Sequence, residues 1–161
     1  MRLLTIAISL CFFFFTCTDE PTMNLIPLNL LAYGIPLTIM APDSADIKKE
    51  DWGSMQIVTI KKGKDYDLQI QASEAISTDI ATVKAQKIID VKNKRYFSKI
   101  IKEDANGFVF ETQPDSTTNY YGFRYITIQG DVEYVIQNGL AGNYTLEQAE
   151  NMYEAIKPKE K

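Results

Sequence analysis

Two glycine-centred turns, each set between stretches that alternate apolar and polar residues, constrain this chain more than any other feature. Asn106-Gly107 lies between residues 97–104 and 108–112, and Gln129-Gly130 lies between residues 120–128 and 132–138. An Asn-Gly pair accepts the positive φ values of a two-residue turn, and such turns join antiparallel neighbours. Alternation with period two gives a strand one buried and one wet face. These residues therefore predict two tight hairpins. Counting outward from the turns places Lys102 opposite Glu111, Tyr125 opposite Tyr134 and Phe123 opposite Ile136.

The rest of the chain adds strands and two helices. Residues 37–41 read as a short strand closed by Pro42-Asp43-Ser44. Residues 56–61 read as another, ending in the turn Lys62-Gly63-Lys64-Asp65. In residues 66–72, Tyr66, Leu68, Ile70 and Ala72 point one way and Asp67, Gln69 and Gln71 the other. The period changes over residues 76–93, where Ile76, Ile80, Val83 and Val91 recur at helical spacing and Lys87 completes the stripe. Ser77 is read as the cap, with Asp79 favourable near the positive helix end. Thr145-Leu146-Glu147-Gln148 is a capping box. It opens a helix with the stripe Leu146, Ala149, Tyr153 and Ile156, which Pro158 ends. The order predicts one α+β domain over residues 35–161, a mainly antiparallel β-sheet packed by two helices. Residues 17–34 are expected to form a tether and an extended apolar segment. Pro27 and Gly34 argue there against a long helix and allow an edge strand laid along the domain.

Residues 1–16 have the composition of an address. Arg2 supplies a positive start, and residues 3–15 form an almost unbroken apolar run. A membrane-spanning helix needs about 20 residues, whereas a signal-peptide core needs roughly 7–15. The run stops at Thr16-Cys17 and gives way to Thr18-Asp19-Glu20-Pro21-Thr22. Phe14-Phe15-Thr16-Cys17 resembles a bacterial lipobox, departing from it by Phe14 where Leu is preferred and Thr16 where Gly or Ala is. That resemblance implies loss of residues 1–16 as a signal peptide and acylation of Cys17. The membrane, reached through a palmitate-type lipid anchor at Cys17, is then a partner. It implies a cell-envelope location at the outer membrane, on its periplasmic or surface face. Asp19-Glu20 is similar to a short surface-export tag and equally to an acidic pair in a solvated tether. A net charge of −4 repels phosphate backbones, so no nucleic-acid partner is expected.

Four stretches resemble the PsbP/Mog-type fold, an α/β/α sandwich. They are Ile35-Pro36-Leu37-Thr38-Ile39-Met40-Ala41-Pro42, the central helix, residues 120–138 with Gly122-Phe123-Arg124-Tyr125 leading into a hairpin, and the closing helix of residues 145–156. The resemblance covers roughly residues 35–157. It implies a binding or assembly role and does not choose the partner.

The chemistry available is narrow. There is no histidine, and the two cysteines are Cys11 and Cys17. Ser-His-Asp and Cys-His arrangements, His-ligated zinc and an internal disulfide framework are excluded. Asp43, Asp46, Glu50 and Asp51 cluster, as do Asp65 and Asp67. They read as solvated loop carboxylates, matching no ligand pattern, so neither a metal nor a cofactor is expected. As a facing pair they would instead serve a carboxylate-dependent hydrolase acting on envelope sugars. The glycines are scattered singly in turns, and no Gly-x-Ser-x-Gly elbow occurs.

Tyr120, Tyr121, Phe123, Tyr125 and Tyr134 gather around Arg124. Tyrosines beside an arginine bind sugars, carboxylates or peptides. The plainer reading puts Phe123, Tyr125 and Tyr134 in the core and pairs Arg124 with a carboxylate across the sheet. Trp52 is a further candidate contact, or a plug at the end of the core. The expectation is therefore a non-catalytic, lipid-anchored envelope protein acting as a binding or assembly module. Tyr120, Tyr121, Arg124 and Trp52 would meet an envelope protein or a small ligand. The hydrolase is one alternative. The other is a chaperone or accessory subunit of an envelope complex, using the sheet edge or residues 25–31.

Overall fold

The computed structural model describes residues 24–158. The signal segment of residues 1–16 and the lipidation candidate Cys17 lie outside the described residues. β1 (Leu25–Asn29) and β2 (Thr38–Pro42) pair antiparallel as a ribbon. β3 (Asp46–Asp51), β4 (Met55–Lys62) and β5 (Tyr66–Glu74) follow as a meander, then α1 (Ile80–Lys92). β6 (Phe97–Glu103), β7 (Gly107–Thr112), β8 (Tyr120–Gln129) and β9 (Val132–Asn138) come next, and α2 (Leu146–Ala155) closes the chain. The second sheet has seven strands in the order β3-β4-β5-β9-β8-β7-β6, antiparallel at every step. The protein is thus α+β, a large antiparallel sheet packed by two helices.

Alternation decides what each face of this sheet meets. Ile60, Leu68, Ile70, Ile136, Phe123 and Val109 share one face through the strand register. They pack in one cluster with Ile39 of the ribbon and with Met152 and Tyr153 of α2. Phe108 and Phe110 point to the other face, where Val91 and Ile88 of α1 cover them. Burying such side chains contributes about 1.5–3 kcal/mol each, which outweighs the modest intrinsic preferences of the strands. The ribbon also joins this core: Leu30 and Ile35 are fully buried. Residues 25–35 thus pack on the core, with Leu25–Asn29 as a strand.

Several local expectations need correction. Residues 46–51 form a strand, not a carboxylate loop. Ile47, Lys49 and Asp51 face the core side, opposite Ile60, Val58 and Gln56, and charge at five of the six positions masks the strand period. Lys48 pairs with Glu50 at 2.6 Å along that edge. α1 begins after Asp79, whose carboxylate accepts from the backbone N–H groups of Ala81 and Thr82. Ser77 and Ile76 stay outside the helix, and Ile76 is 74% exposed. Asp wins the cap because its two oxygens reach two free N–H groups. Lys87 does more than lay methylenes on the stripe: its Nζ lies 2.8 Å from the buried Glu133 carboxylate.

Both hairpin registers shift. The second turn is Gly130-Asp131, with Gln129 opposite Val132 and Tyr125 opposite Ile136. Gly130, at φ 59°, takes the first central position, the place a II′ turn gives to glycine. A displacement of two leaves every side chain on its expected face. At the first turn neither Asn106 nor Gly107 has positive φ. Instead Asp104 Oδ1 accepts from the N–H groups of Asn106 and Gly107 at 3.2 and 3.0 Å. Two irregularities in β6 then set Lys99, not Lys102, opposite Glu111.

Glycine at position 107 answers to space, not to φ. A Cβ there would collide with the Arg124 carbonyl and come within 2.7 Å of the Tyr153 hydroxyl. Tyr153 needs that room to lie edge-on against Phe123 and Tyr125, with ring centroids 5.6 and 6.1 Å away. Gly107→Ala is expected to destabilise the fold by about 2–3 kcal/mol through overpacking. Urea unfolding measures this, and an unchanged midpoint would show that α2 does not depend on this gap.

Candidate functional site

The candidate site opens where β8 outruns β9. The β8–β9 ladder ends at Arg124 opposite Gln137, so residues 120–123 pair only with β7. On their free side the Phe123 N–H donates to Asn138 Oδ1 at 3.1 Å, and the Tyr121 N–H donates to the Tyr144 carbonyl at 3.0 Å. The chain after β9 turns sharply, held by the Gly139 N–H donating to the Asp67 carbonyl at 2.8 Å. Between this turn and the end of β8 lies a depression of about 210 Å³. Phe110, Tyr120, Tyr121, Arg124, Lys94 and Asn143 line it, and Leu140, 73% exposed, stands at its rim. Gly122 is required beneath it, because a Cβ would come within 2.7 Å of the Phe110 ring.

The electrostatics are unusual for an acidic chain. Lys94 Nζ and Arg124 Cζ each lie 5.6 Å from the centroid of the Phe110 ring. The ring face attracts both cations. Arg124 Nη1 donates to the Phe123 carbonyl at 2.8 Å. Among the described residues no carboxylate lies within 4.0 Å of either cation, whereas eight other lysines are so paired. No acid lines the depression. Burial pushes the Arg124 guanidinium down to about 10, with the more distant Asp90 acting the other way. Burial also lowers Lys94, and the charge of Arg124 adds to that. At about 10, the Arg124 guanidinium stays protonated at neutral pH. Its charge is held at a desolvation cost that an incoming anion would offset.

The tyrosines differ in what they offer. The Tyr121 hydroxyl donates to Glu111 Oε2 at 3.1 Å, and that bond pushes it above its ordinary value. Glu111 is held down by the Ser98 hydroxyl first, then by Tyr121 and Lys99. The Tyr121 side chain is thus engaged with Glu111 on the face opposite Phe110 and Arg124, while the Tyr120 hydroxyl, on the Arg124 side, makes no hydrogen bond among the described residues.

Three of the four contact residues expected from sequence meet here: Tyr120, Tyr121 and Arg124. Trp52 does not. It sits 66% exposed between β3 and β4, at the opposite end of the sheet. Phe123, Tyr125 and Tyr134 are core, as the plainer reading had it, but the carboxylate partner expected for Arg124 is not found among the described residues. Lys94, Phe110 and Asn143 were not visible from sequence. Lys94 follows α1 outside any periodic stripe, and only the fold brings it to the Phe110 ring.

The carboxylates lie elsewhere. Asp65 accepts from Gln148 Nε2 at 2.9 Å, and Asp67 lies 3.2 Å from Lys61. A second depression, about 160 Å³, lies between β2 and the end of α2, lined by Leu37, Ile39, Tyr125, Ile136 and Ile156 without a charged side chain. Among the described residues no group of three or more His, Cys, Asp or Glu is placed to hold a metal ion. No described helix is long and apolar enough to cross a membrane.

No protein-family profile matches the chain, and no curated protein matches it in sequence. A crystal structure of a protein from Bacteroides thetaiotaomicron is similar over 77% of this chain and 45% of that one, at 13% identity and a TM-score of 0.39. Similarity at that level says nothing of fold or function. The present chain spans under half the length of that protein.

The uncompensated cation makes a stability forecast. Arg124→Met keeps an apolar stem against Phe110 and removes a charge that burial disfavours. The variant is expected to be as stable as the parent or up to about 1 kcal/mol more stable, measured by urea unfolding in a buffer with chloride as the only anion. A loss of more than about 2 kcal/mol would show that Arg124 serves the fold instead.

Proposed function

We propose that this is a non-catalytic, lipid-anchored protein of the bacterial cell envelope whose folded body binds a small ligand at the end of β8. One observation carries the reading: a concave site gathers two cations and a free tyrosine hydroxyl and is lined by no acid. Its volume of about 210 Å³ is below the usual range for drug-sized ligands, about 300–1,000 Å³. That favours a small molecule or a single headgroup over a peptide. The lipobox-like Phe14-Phe15-Thr16-Cys17 supports the anchor, and the resemblance to the PsbP/Mog-type fold supports binding rather than chemistry.

The two alternatives have less behind them. A carboxylate-dependent hydrolase needs facing acids in a cleft, and neither depression is lined by one. Strand addition at the sheet edge would serve a chaperone or accessory subunit. β3 is charged at five of its six positions, and β6 is interrupted twice and studded with Lys99 and Lys102. Both features blunt an edge against a partner strand.

Two measurements test the reading. Cys17→Ala should remove acyl mass from the chain and release it from the membrane fraction; persistence of both would refute the anchor. Small molecules extracted from the envelope should shift the amide resonances of Gly122 and Gly142 in the parent protein. An unresponsive site would refute the binding role.

A further inference from the structure

Of the described cations, those without a carboxylate within 4.0 Å include Lys92, Lys94, Arg95 and Arg124, at the end of α1 and the strand it covers. Arg95 is turned away over the Tyr96 ring at 5.1 Å, and Lys92 ends the helix in solvent. Only Lys94 and Arg124 share a ring and a cavity. They differ in geometry: a planar fork and a compact ammonium. A carboxylate carries one charge in one plane, which the fork alone would satisfy. A phosphate group carries nearly two charges at pH 7 and directs oxygens to several sides. That matches a fork and a point charge reaching one cavity, with the Tyr120 hydroxyl as a further donor.

We propose that the depression is a phosphate site, holding the group between the Arg124 guanidinium and the Lys94 ammonium above the edge of Phe110. This rests on the reading that the depression is the ligand site. The phosphate belongs either to a soluble phosphomonoester or to a lipid headgroup at the membrane the protein is tethered to. A tether of residues 18–24 would be at most about 25 Å long and would keep the folded body close to the membrane. Leu140 at the rim is the apolar contact a lipid would add. Phosphate affinity should fall as pH drops below about 6, where the dianion is lost.

The test uses the full acylated chain in neutral detergent micelles, titrated with inorganic phosphate at fixed ionic strength and followed by amide resonances. Saturable shifts of Gly122 and Gly142 are expected, with acetate at least 10-fold weaker. Arg124→Gln should weaken binding 10-fold or more and Lys94→Gln at least 3-fold, while Lys92→Gln leaves it unchanged. Core amide positions report whether each variant is folded, and Lys94→Gln decides the matter should Arg124→Gln fail to fold. Micelles doped with phosphatidic acid instead of phosphatidylcholine separate the sources. A response to free phosphate supports a soluble ligand, and a response to the doped micelle alone supports a headgroup. No response to either overturns the proposal, as does equal weakening by Lys92→Gln. Should an envelope extract shift Gly122 where both phosphate sources fail, the binding site stands and its assignment to phosphate falls.

Discussion

The two faces of the seven-stranded sheet are covered unequally, and the rest of the molecule follows from that. One face meets α2 and the β1–β2 ribbon across its whole width. The other meets only α1, whose 13 residues span about 20 Å. Seven strands spaced about 4.8 Å apart extend well beyond that. Where α1 is absent the face becomes mixed: Thr59, Gln69 and Gln71 share it with Ile57 and Val135, and Gln137 Nε2 donates to Gln69 Oε1 at 2.6 Å. Arg124 and Lys94 lie at the margin of the cover. Arg124 is partly withdrawn from water, Lys94 is exposed beside it, and both are open to a ligand.

What fixes that margin is the central position of the last strand. β9 lies between β5 and β8, so the two halves of the sheet join only through a strand made late in the sequence. α2 then locks the joint. Its capping box is complete, with the Thr145 N–H donating to Gln148 Oε1 and the Gln148 N–H donating to Thr145 Oγ1. Tyr153 fills the gap left by Gly107. Around it, Lys157 bridges Asp104 and Glu154 at 2.9 Å each, and Lys102 reaches Glu154 at 2.7 Å. Because β9 stops at Asn138 while β8 continues, the amide side chain of Asn138 takes over from the ladder, and the opening beside Gly122 remains.

Much of this was legible in the sequence. Tyr66, Leu68, Ile70 and Ala72 gave their face by period alone, and Thr145 to Gln148 announced α2 by cap chemistry. Tyr120, Tyr121 and Arg124 cluster in sequence and therefore also along β8. The failures have physical causes. β3 is charged at five of its six positions, so an edge strand shows no hydropathy period there. Asn106-Gly107 looks like a positive-φ turn, yet its glycine is there for the Tyr153 ring, a contact made across 46 residues. Lys94 carries no local signal, because its role depends on where Phe110 lies. Trp52 is suggested by residue type alone, and residue type does not say which end of a sheet a loop occupies.

The central claim is that the Arg124 and Lys94 cations are held without a counter-charge of the protein's own. Asp90 is the acid best placed to spoil it: it acts on Arg124 from beyond 4.0 Å and is tied to Gln86 Nε2 at 3.0 Å. A crystal structure of the full chain grown in phosphate decides the point directly. The account predicts tetrahedral density between the two cations, with Asp90 still turned to Gln86. An Asp90 carboxylate paired with the Arg124 guanidinium, and no anion beside it, would contradict it.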